Sequence, residues 1–492
     1  MRSQTHPRGT GLSTLVLAAL VLAACAAPEA GNYTALTAER PIAQLAEGLT
    51  LSVNPAALTA DFEVQLQAWP ADQLAAGQAG ELAGAAFTAR PPALTLVSPL
   101  FTLAGRGSAP AQAFLSVIAP SGSSANDLDL YAWDGQAWSF LASEAKGGQR
   151  VAAVSALPQA VGLFRAIPPS PLAWVRLDPG DTLPVGAPVD ALLLGGVTLN
   201  ADGSLGGVLP NLPPGLAAPL YPVVQAEGAS IGAALSDPAA RAAQAKLLAQ
   251  LAAGGGFAGL ALDYRNLSES SAAGYVALVD ALGAQLKAQN QALLVFVSLA
   301  DPLASPAAGG YDLAALGAAA DALLARLPTR PASLGDGTAD FVLLQATNQV
   351  ERRKLRAVTS ASALVGDAQP PRALGQAEAL AALGSAQAAG WAESLYVNQP
   401  VTLTLSGGYQ ALADDPQAAA PRLDGGAAAI WLTTPYTLRQ RLALAERFRL
   451  GGVVVEDLFR AGTPAEMSTA VAAYRAGAPT EAQAVALTWT VT

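Results

Sequence analysis

The stretch GFAGLALDYRN, residues 256–266, decides the fold class of this chain. It is apolar as far as Asp263, and two positions later it presents the guanidinium of Arg265. An apolar run of this length is typical of a strand buried on both faces, as in a parallel sheet. Because side chains two apart on a strand share a face, Ala261, Asp263 and Arg265 are predicted to point the same way.

Strands and amphipathic helices alternate around that stretch. A helix is predicted to begin at Asp237 and Pro238, which suit the cap and the first helical turn. The other apolar runs predicted as strands are residues 190–194, 293–297, 354–358 and 451–455. This alternation over residues 167–460 predicts the α/β class, as a (β/α)8 TIM-type barrel whose mouth lies at the C-terminal ends of its strands.

Short strands with period-two alternation precede the barrel, over residues 25–166. Asp134 and Gly135 separate two such runs and indicate a tight hairpin. The pattern predicts an all-β sandwich domain. Trp133 and Trp138 of the hairpin either cover a core or form a platform on which a sugar stacks.

The N-terminal segment has the pattern of a bacterial export signal. Arg2 and Arg8 precede an apolar run that ends at Cys25, and LAAC at residues 22–25 resembles a lipobox. Residues 1–24 are therefore predicted to be a signal peptide and Cys25 to be lipidated. This places the protein outside the cytoplasm, membrane-anchored on the cell surface. The alternatives are an ordinary secretory signal or a short membrane anchor.

Composition excludes several kinds of chemistry. The only histidine, His6, and the only cysteine, Cys25, both lie in or beside the signal. Histidine-dependent triads, histidine or thiolate metal sites and disulfides are therefore not expected, and no cofactor or metal site is predicted. The net charge of -10, without a basic cluster, argues against nucleic acid as a partner.

The order of the elements between residues 172 and 460, and the sequences of several of them, resemble glycoside hydrolase family 18, in its spore-germination, peptidoglycan-lytic branch. The segments that carry the resemblance are VTLNADGSL (197–205), GGGFAGLALDYRN (254–266), YDLAALGAAADAL (311–323), AIWLTTPYTLRQRLALAERFRLGGVVV (429–455), and the helix and strand of residues 276–297. The resemblance implies a small inserted domain at residues 391–426, and residues 461–492 then form a C-terminal tail.

The resemblance also implies an acidic motif, D-x-x-D-x-D-x-E, on the strand at residues 256–266. Its positions are Ala258, Ala261, Asp263 and Arg265, so only Asp263 is acidic. A general acid must hold and release a proton, which the guanidinium of Arg265 cannot do. The Arg265 charge also favours ionised Asp263. The pair is predicted to be either a structural ion pair or a ligand-binding pair.

Two further positions depart from what the resemblance implies. Residues 323–329 read LLARLPT where a Tyr-Asp pair is expected, and Glu456 stands where a tryptophan is expected. The sequence therefore predicts a catalytically degenerate barrel that binds a glycan, either peptidoglycan or a chitin-like polysaccharide. Asp263, Tyr264, Arg265 and Glu456 are the predicted ligand-binding residues.

Two alternatives remain open. One is an active glycosidase on an N-acetylhexosamine-containing glycan, using other carboxylates at the mouth, namely Glu269, Asp301 and Glu456. The other is a structural or protein-binding surface module. Exposed aromatic residues around the mouth would favour glycan binding, whereas a polar mouth closed by the Asp263 and Arg265 pair would favour the structural role.

Overall fold

The computed structural model describes most of the chain beyond the N-terminal segment. The described residues are 33–58, 61–303, 311–328, 330–365, 372–383, 386–388, 403–405, 409–411, 422–425 and 428–478. The signal, the lipidation site Cys25 and most of the predicted insertion at 391–426 lie outside them. No helix within these ranges is long and apolar enough to cross a membrane.

The N-terminal part consists of two antiparallel sheets that share one hydrophobic core. The strands of the first sheet are Thr34–Leu36, Phe62–Trp69, Leu94–Leu96, Leu100–Gly107, Asp129–Trp133, Trp138–Leu141 and Ala160–Ala166. Those of the second sheet are Ile42–Gln44, Leu49–Val53, Ala113–Ile118, Glu144–Lys146 and Gln149–Val154. Alternate residues of both sheets, such as Leu51 and Val161, meet in the core. This is the arrangement of a β-sandwich.

Two short helices, Ala71–Ala75 and Glu81–Thr88, pack on the outer face of the first sheet. Trp133 is buried in this layer, and Trp138 donates its indole N–H to the carbonyl of Ala86 at 2.8 Å. The two tryptophans therefore cover a core and do not form an open platform for a sugar.

Eight parallel strands form a closed barrel, because the first strand pairs with both the second and the eighth. They are β1 (Ala173–Leu177), β2 (Ala191–Leu199), β3 (Leu220–Glu227), β4 (Gly259–Arg265), β5 (Ala292–Ser298), β6 (Ala322–Arg326), β7 (Leu355–Ser360) and β8 (Val453–Glu456). The strand Leu205–Gly207 pairs antiparallel with β2. The predicted TIM-type barrel is thus confirmed, although β2 and β7 run further than predicted.

Helices cover the barrel after β3. They are Gly228–Ser236, Pro238–Gly254, Ala272–Ala288, Leu313–Ala319, Thr338–Gln349, Pro435–Phe448 and Ala465–Arg475. The helix Gln376–Leu383 instead packs on a small antiparallel sheet outside the barrel. The helix Ala272–Ala288 buries one apolar stripe against the strands. The last helix corrects the predicted barrel end at residue 460. Its Val471 and Tyr474 are buried in the barrel core, and Arg475 pairs with Asp190 at 2.5 Å.

Side chains alternate between two packed layers along each strand. One layer fills the barrel interior and includes Trp174, Ala261 and Phe296. The other lies between the strands and the helices and includes Leu262 and Tyr264. This alternation turns Asp263 and Arg265 inward at the C-terminal end of β4, as the sequence predicted for their shared face.

The sandwich docks on the N-terminal end of the barrel through buried polar contacts. Arg352, just before β7, donates its Nε to both carboxylate oxygens of Asp129, at 2.9 and 3.1 Å. Arg150 of the sandwich is fully buried and donates to Asn348 at 2.9 Å. The sandwich therefore lies at the end of the barrel opposite the mouth.

Candidate functional site

Asp263 is the centre of a polar cluster inside the barrel mouth. Its side chain is 1% exposed. Arg326, the last residue of β6, donates to both carboxylate oxygens, at 2.5 and 3.0 Å. Arg265 donates Nη2 and Nε to Oδ2, at 2.7 and 3.1 Å. Both oxygens of Asp263 are therefore engaged by arginine.

Two further strands contribute donors to the same carboxylate. Arg176 on β1 donates Nη1 to Asp263 Oδ2 at 3.3 Å, and Gln225 on β3 donates Nε2 at 3.2 Å. Arg176 also binds Asp178 Oδ1, at 3.0 and 3.1 Å. Four strands of the barrel thus converge on one side chain.

Glu456, the last residue of β8, belongs to the same cluster. Its Oε1 accepts from Arg326 at 2.9 Å and from Arg176 at 3.2 Å. Arg326 also stacks its guanidinium on the Phe296 ring, 4.3 Å from the ring centroid. We call this cluster the mouth network. Its charged members are Arg176, Arg265, Arg326, Asp178, Asp263 and Glu456.

The network keeps the carboxylates of Asp263 and Glu456 ionised. Burial by itself raises the pKa of Asp263, but the charge of Arg326 and the hydrogen bonds from Arg265 and Arg326 outweigh it and hold the pKa well below its ordinary value. Burial likewise raises the pKa of Glu456, and the charges of Arg326 and Arg176 bring it below its ordinary value. Arginines and carboxylates therefore neutralise one another in the mouth.

This arrangement does not suit acid catalysis of glycoside hydrolysis. That reaction needs a carboxylic acid that keeps its proton near neutral pH beside the glycosidic oxygen. Asp263 and Glu456 have pKa values shifted in the opposite direction. Arg265 occupies the position of the acid in the motif and is ion-paired with Asp263. Asp263 and Glu456 can help to bind and orient a polar group, but neither has the raised pKa that a general acid needs.

The other sequence-predicted residues are dispersed. Ala258 immediately precedes β4, and Ala261 is buried in the barrel interior. Glu269 is exposed in the short 3-10 helix Glu269–Ser271. Asp301, in the loop after β5, accepts from Arg330 at 3.0 Å and from the backbone N–H of Leu303 at 2.9 Å. Of the alternative acids, only Glu456 joins Asp263.

Tyr264 does not face the mouth, contrary to the sequence prediction. Its side chain is fully buried between β4 and the helices. Its hydroxyl accepts from Gln244 Nε2, at 2.6 Å, on the helix Pro238–Gly254. The physical reason is the pleat of the strand, since Tyr264 lies between two residues that point inward.

Sequence reasoning missed four members of the cluster: Arg176, Asp178, Gln225 and Arg326. Arg326 is part of the LLARLPT segment, in which only a missing Tyr-Asp pair was noted. The available signal was a single charged residue at the end of an apolar run. In a barrel, such a position opens into the mouth shared by all strands.

Two pockets open beside the network. One, of about 450 Å³, lies by the ends of β2, β3 and β4 and is lined by residues that include Asn200, Gln225, Glu227 and Arg265. The other, of about 120 Å³, lies by β6, β7 and β8. Within the part of the chain that the structure describes, neither pocket has an aromatic residue in its lining.

Comparisons with known proteins concern the fold. No family model matches this chain, and no curated protein sequence matches it. Among solved structures, it is similar to a chitinase from Chromobacterium violaceum, with 20% identity, a TM-score of 0.45, and coverage of 61% of this chain and 98% of that one.

Two other solved structures extend the comparison. Catalytic domain 2 of the Group II chitinase of Ostrinia furnacalis shows 12% identity and a TM-score of 0.46, covering 64% of this chain and 99% of that one. The spore cortex-lytic enzyme SleL of Bacillus megaterium shows 13% identity and a TM-score of 0.42, covering 83% and 97%. These structural neighbours are two chitinases and a spore cortex-lytic enzyme.

Proposed function

We propose that this chain is a non-hydrolytic barrel module that binds a glycan of the cell envelope at its mouth. The observation that carries the proposal is the saturation of Asp263, whose two carboxylate oxygens are held by Arg265, Arg326 and Arg176. A carboxylate in this state neither donates a proton nor is free to attack a sugar carbon. Binding is then the function left for the mouth.

The pocket of about 450 Å³ supports the binding part of the proposal. Its volume falls within the range of roughly 300–1,000 Å³ that is typical of ligand sites. Arg265 is 42% exposed and lies in its lining together with Asn200, Glu227 and Ser230. Donors and acceptors of this kind suit the hydroxyl and amide groups of a glycan. The sequence resemblance to glycoside hydrolase family 18 supports the same ligand class, peptidoglycan or a chitin-like polysaccharide.

The proposed location follows from the sequence. The apolar run that ends at Cys25 supports export and lipidation, which would tether the module to a membrane outside the cytoplasm. Labelling with a fatty-acid analogue tests it. Wild-type protein should be labelled and a Cys25→Ala variant should not, and equal labelling of both would contradict the proposal.

The experiment measures binding and turnover on the same full-length chain in detergent. Solubilised peptidoglycan and chitin oligosaccharides are titrated into wild type, Arg265→Ala and the matched control Glu269→Gln. The expected result is binding without release of new reducing ends, weakened about tenfold in Arg265→Ala and unchanged in the control. Glu269 is the control because it is exposed near β4 but does not line the pocket.

Turnover by wild type would overturn the non-hydrolytic assignment, and its loss in Glu269→Gln would identify the acid. The absence of both binding and turnover would favour a second candidate function, a protein-binding surface module. Two observations favour that candidate: the pockets at the mouth have no aromatic lining among the described residues, and Ile42, Phe114 and Ile118 are exposed on the second sheet of the sandwich. Replacing Phe114 and Ile118 with serine should then abolish crosslinking to a protein partner while glycans have no effect.

A further inference from the structure

The smaller pocket at the mouth contains an arginine whose charge is not compensated. The pocket, of about 120 Å³, lies between the ends of β6, β7 and β8, and its charged lining residues are Arg326, Arg330, Arg441 and Glu456. Arg441 belongs to the helix Pro435–Phe448. Its Nη1 donates to the carbonyl of Ser360 and to Thr433 Oγ1, both at 3.1 Å. Its Nε is buried without a hydrogen-bond partner.

The other two arginines in the lining already have carboxylate partners. Arg326 pairs with Asp263 and Glu456. Arg330 pairs with Asp301 at 3.0 Å and with Asp336 at 2.5 Å. Among the described residues, no carboxylate lies within ion-pair distance of Arg441. Burial alone acts on its pKa, which falls to about 10. Arg441 therefore remains a cation at neutral pH, with no anion beside it.

A second donor in the same pocket is also unused. Ser362, in the loop after β7, is 3% exposed, and its Oγ has no hydrogen-bond partner. A buried polar group without a partner costs about 1–3 kcal/mol, and an unpaired charge costs more. Two such groups in one pocket indicate a ligand that accepts hydrogen bonds and carries negative charge.

We propose that this pocket binds a carboxylate carried on a small apolar group. The planar guanidinium of Arg441 suits a planar carboxylate, and Ser362 supplies one more donor. Leu327, Leu334 and Leu364 form apolar walls. The volume holds about four waters at roughly 30 Å³ each, which is enough for a short substituent but not for a sugar ring. Glu456 in the lining opposes a dianion, so a monoanionic carboxylate fits better than phosphate.

The inference extends the proposed function, because it names an acidic substituent on the ligand at the mouth. That the carboxylate is carried by a glycan rests on the proposed function, whereas binding of a carboxylate in this pocket does not. Small molecules test the pocket separately. Ligand-observed NMR on the full-length chain compares lactate with lactamide, its neutral analogue of similar shape, and with inorganic phosphate. Lactate should bind, lactamide should bind at least about tenfold more weakly, and phosphate should not displace lactate at equal concentration.

Variants separate a binding role from a structural one. Arg441→Met should abolish lactate binding and should keep or raise the melting temperature, because it removes an unpaired buried charge while conserving apolar volume. Ser362→Ala should weaken lactate binding severalfold. The matched control is Arg356→Met, which removes another buried cation, stacked on Trp174 at the opposite end of the barrel. It should leave lactate binding unchanged.

Equal binding of lactate and lactamide would overturn the proposal, as would wild-type lactate affinity in Arg441→Met. Stronger binding of phosphate than of lactate would overturn the carboxylate assignment. Carboxylate binding without binding of any tested glycan would refute the proposed glycan ligand and leave the pocket in place. Glycan binding that neither lactate nor Arg441→Met affects would refute the pocket as the site of an acidic substituent and would leave the proposed glycan ligand in place.

Discussion

Replacing Asp263 with asparagine should destabilise the barrel strongly, although the change is nearly isosteric. In the mouth network, Asp263 accepts hydrogen bonds from three arginines and Gln225, and its side chain is 1% exposed. Without its charge, Arg176 and Arg326 share Glu456, and the exposed Arg265 can turn toward solvent. Removal of one partner from a buried ion pair typically costs 3–5 kcal/mol. Since Arg265 can relax, we expect about 3 kcal/mol, or a fall of about 5 °C in melting temperature.

A second substitution tests whether unbalanced charge causes this loss. In Asp263→Asn with Arg326→Met, one charge of each sign is gone, and Arg176 retains Asp178 and Glu456. The double variant should lie within about 1 kcal/mol of wild type, and should therefore be about 2 kcal/mol more stable than Asp263→Asn alone. Urea unfolding of the full chain measures the free energy of unfolding of the single and the double variant. The control is Glu63→Gln, because Glu63 forms an exposed ion pair with Arg106 whose loss should cost at most about 1 kcal/mol. A loss of less than about 1 kcal/mol in Asp263→Asn, or a double variant no more stable than Asp263→Asn, would refute the reasoning.

Three further predictions follow from other contacts. Because folding lowers the pKa values of Asp263 and Glu456, their contribution to stability is complete above about pH 4 and is lost as the pH falls further. Below about pH 4, the melting temperature of wild type should therefore fall more steeply with pH than that of the double variant Asp263→Asn with Glu456→Gln. Equal slopes of melting temperature against pH would contradict this. Arg352→Ala leaves Asp129 buried and unpaired, so the protein should lose about 3 kcal/mol of stability, and calorimetry should show separate melting transitions for the sandwich and the barrel. One unchanged transition would contradict the role of this ion pair in holding the sandwich on the barrel. Tyr264→Phe loses the hydrogen bond from Gln244 and should cost about 1 kcal/mol without changing ligand affinity; a binding defect would place Tyr264 at the mouth after all.

The sequence was sufficient for the architecture because the evidence there is local. Apolar runs followed by amphipathic helices predict parallel strands without knowledge of the other strands. Three barrel strands, β1, β3 and β6, were not among the apolar runs predicted as strands. No helix separates β1, β2 and β3, and β3 contains Pro222, which reads as a strand breaker. In the structure, Pro222 pairs with Leu194 just before the register of β2 shifts, so the ladder is already irregular there.

The site was predictable only in part. The pairing of Asp263 with Arg265 follows from their spacing on one strand. The same rule places Tyr264 on the opposite face, against the helices, as the structure shows. Arg176 and Arg326 lie 87 and 63 residues from Asp263 in the chain, and nothing local in a single sequence shows that they meet. Their ion pairs depend on closure of the barrel, which is a global property.

Under the proposed non-hydrolytic function, the mouth network also limits which substitutions could give the chain hydrolytic activity. Exchange of Arg265 for glutamate would place an acidic residue at one motif position, but it would leave the buried carboxylate of Asp263 with only Arg176 and Arg326 as cationic partners. Removal of either arginine first would leave Asp263 or Glu456 with weakened compensation in a buried site. Routes of successive single substitutions to a proton-donating carboxyl group therefore pass through less stable intermediate variants.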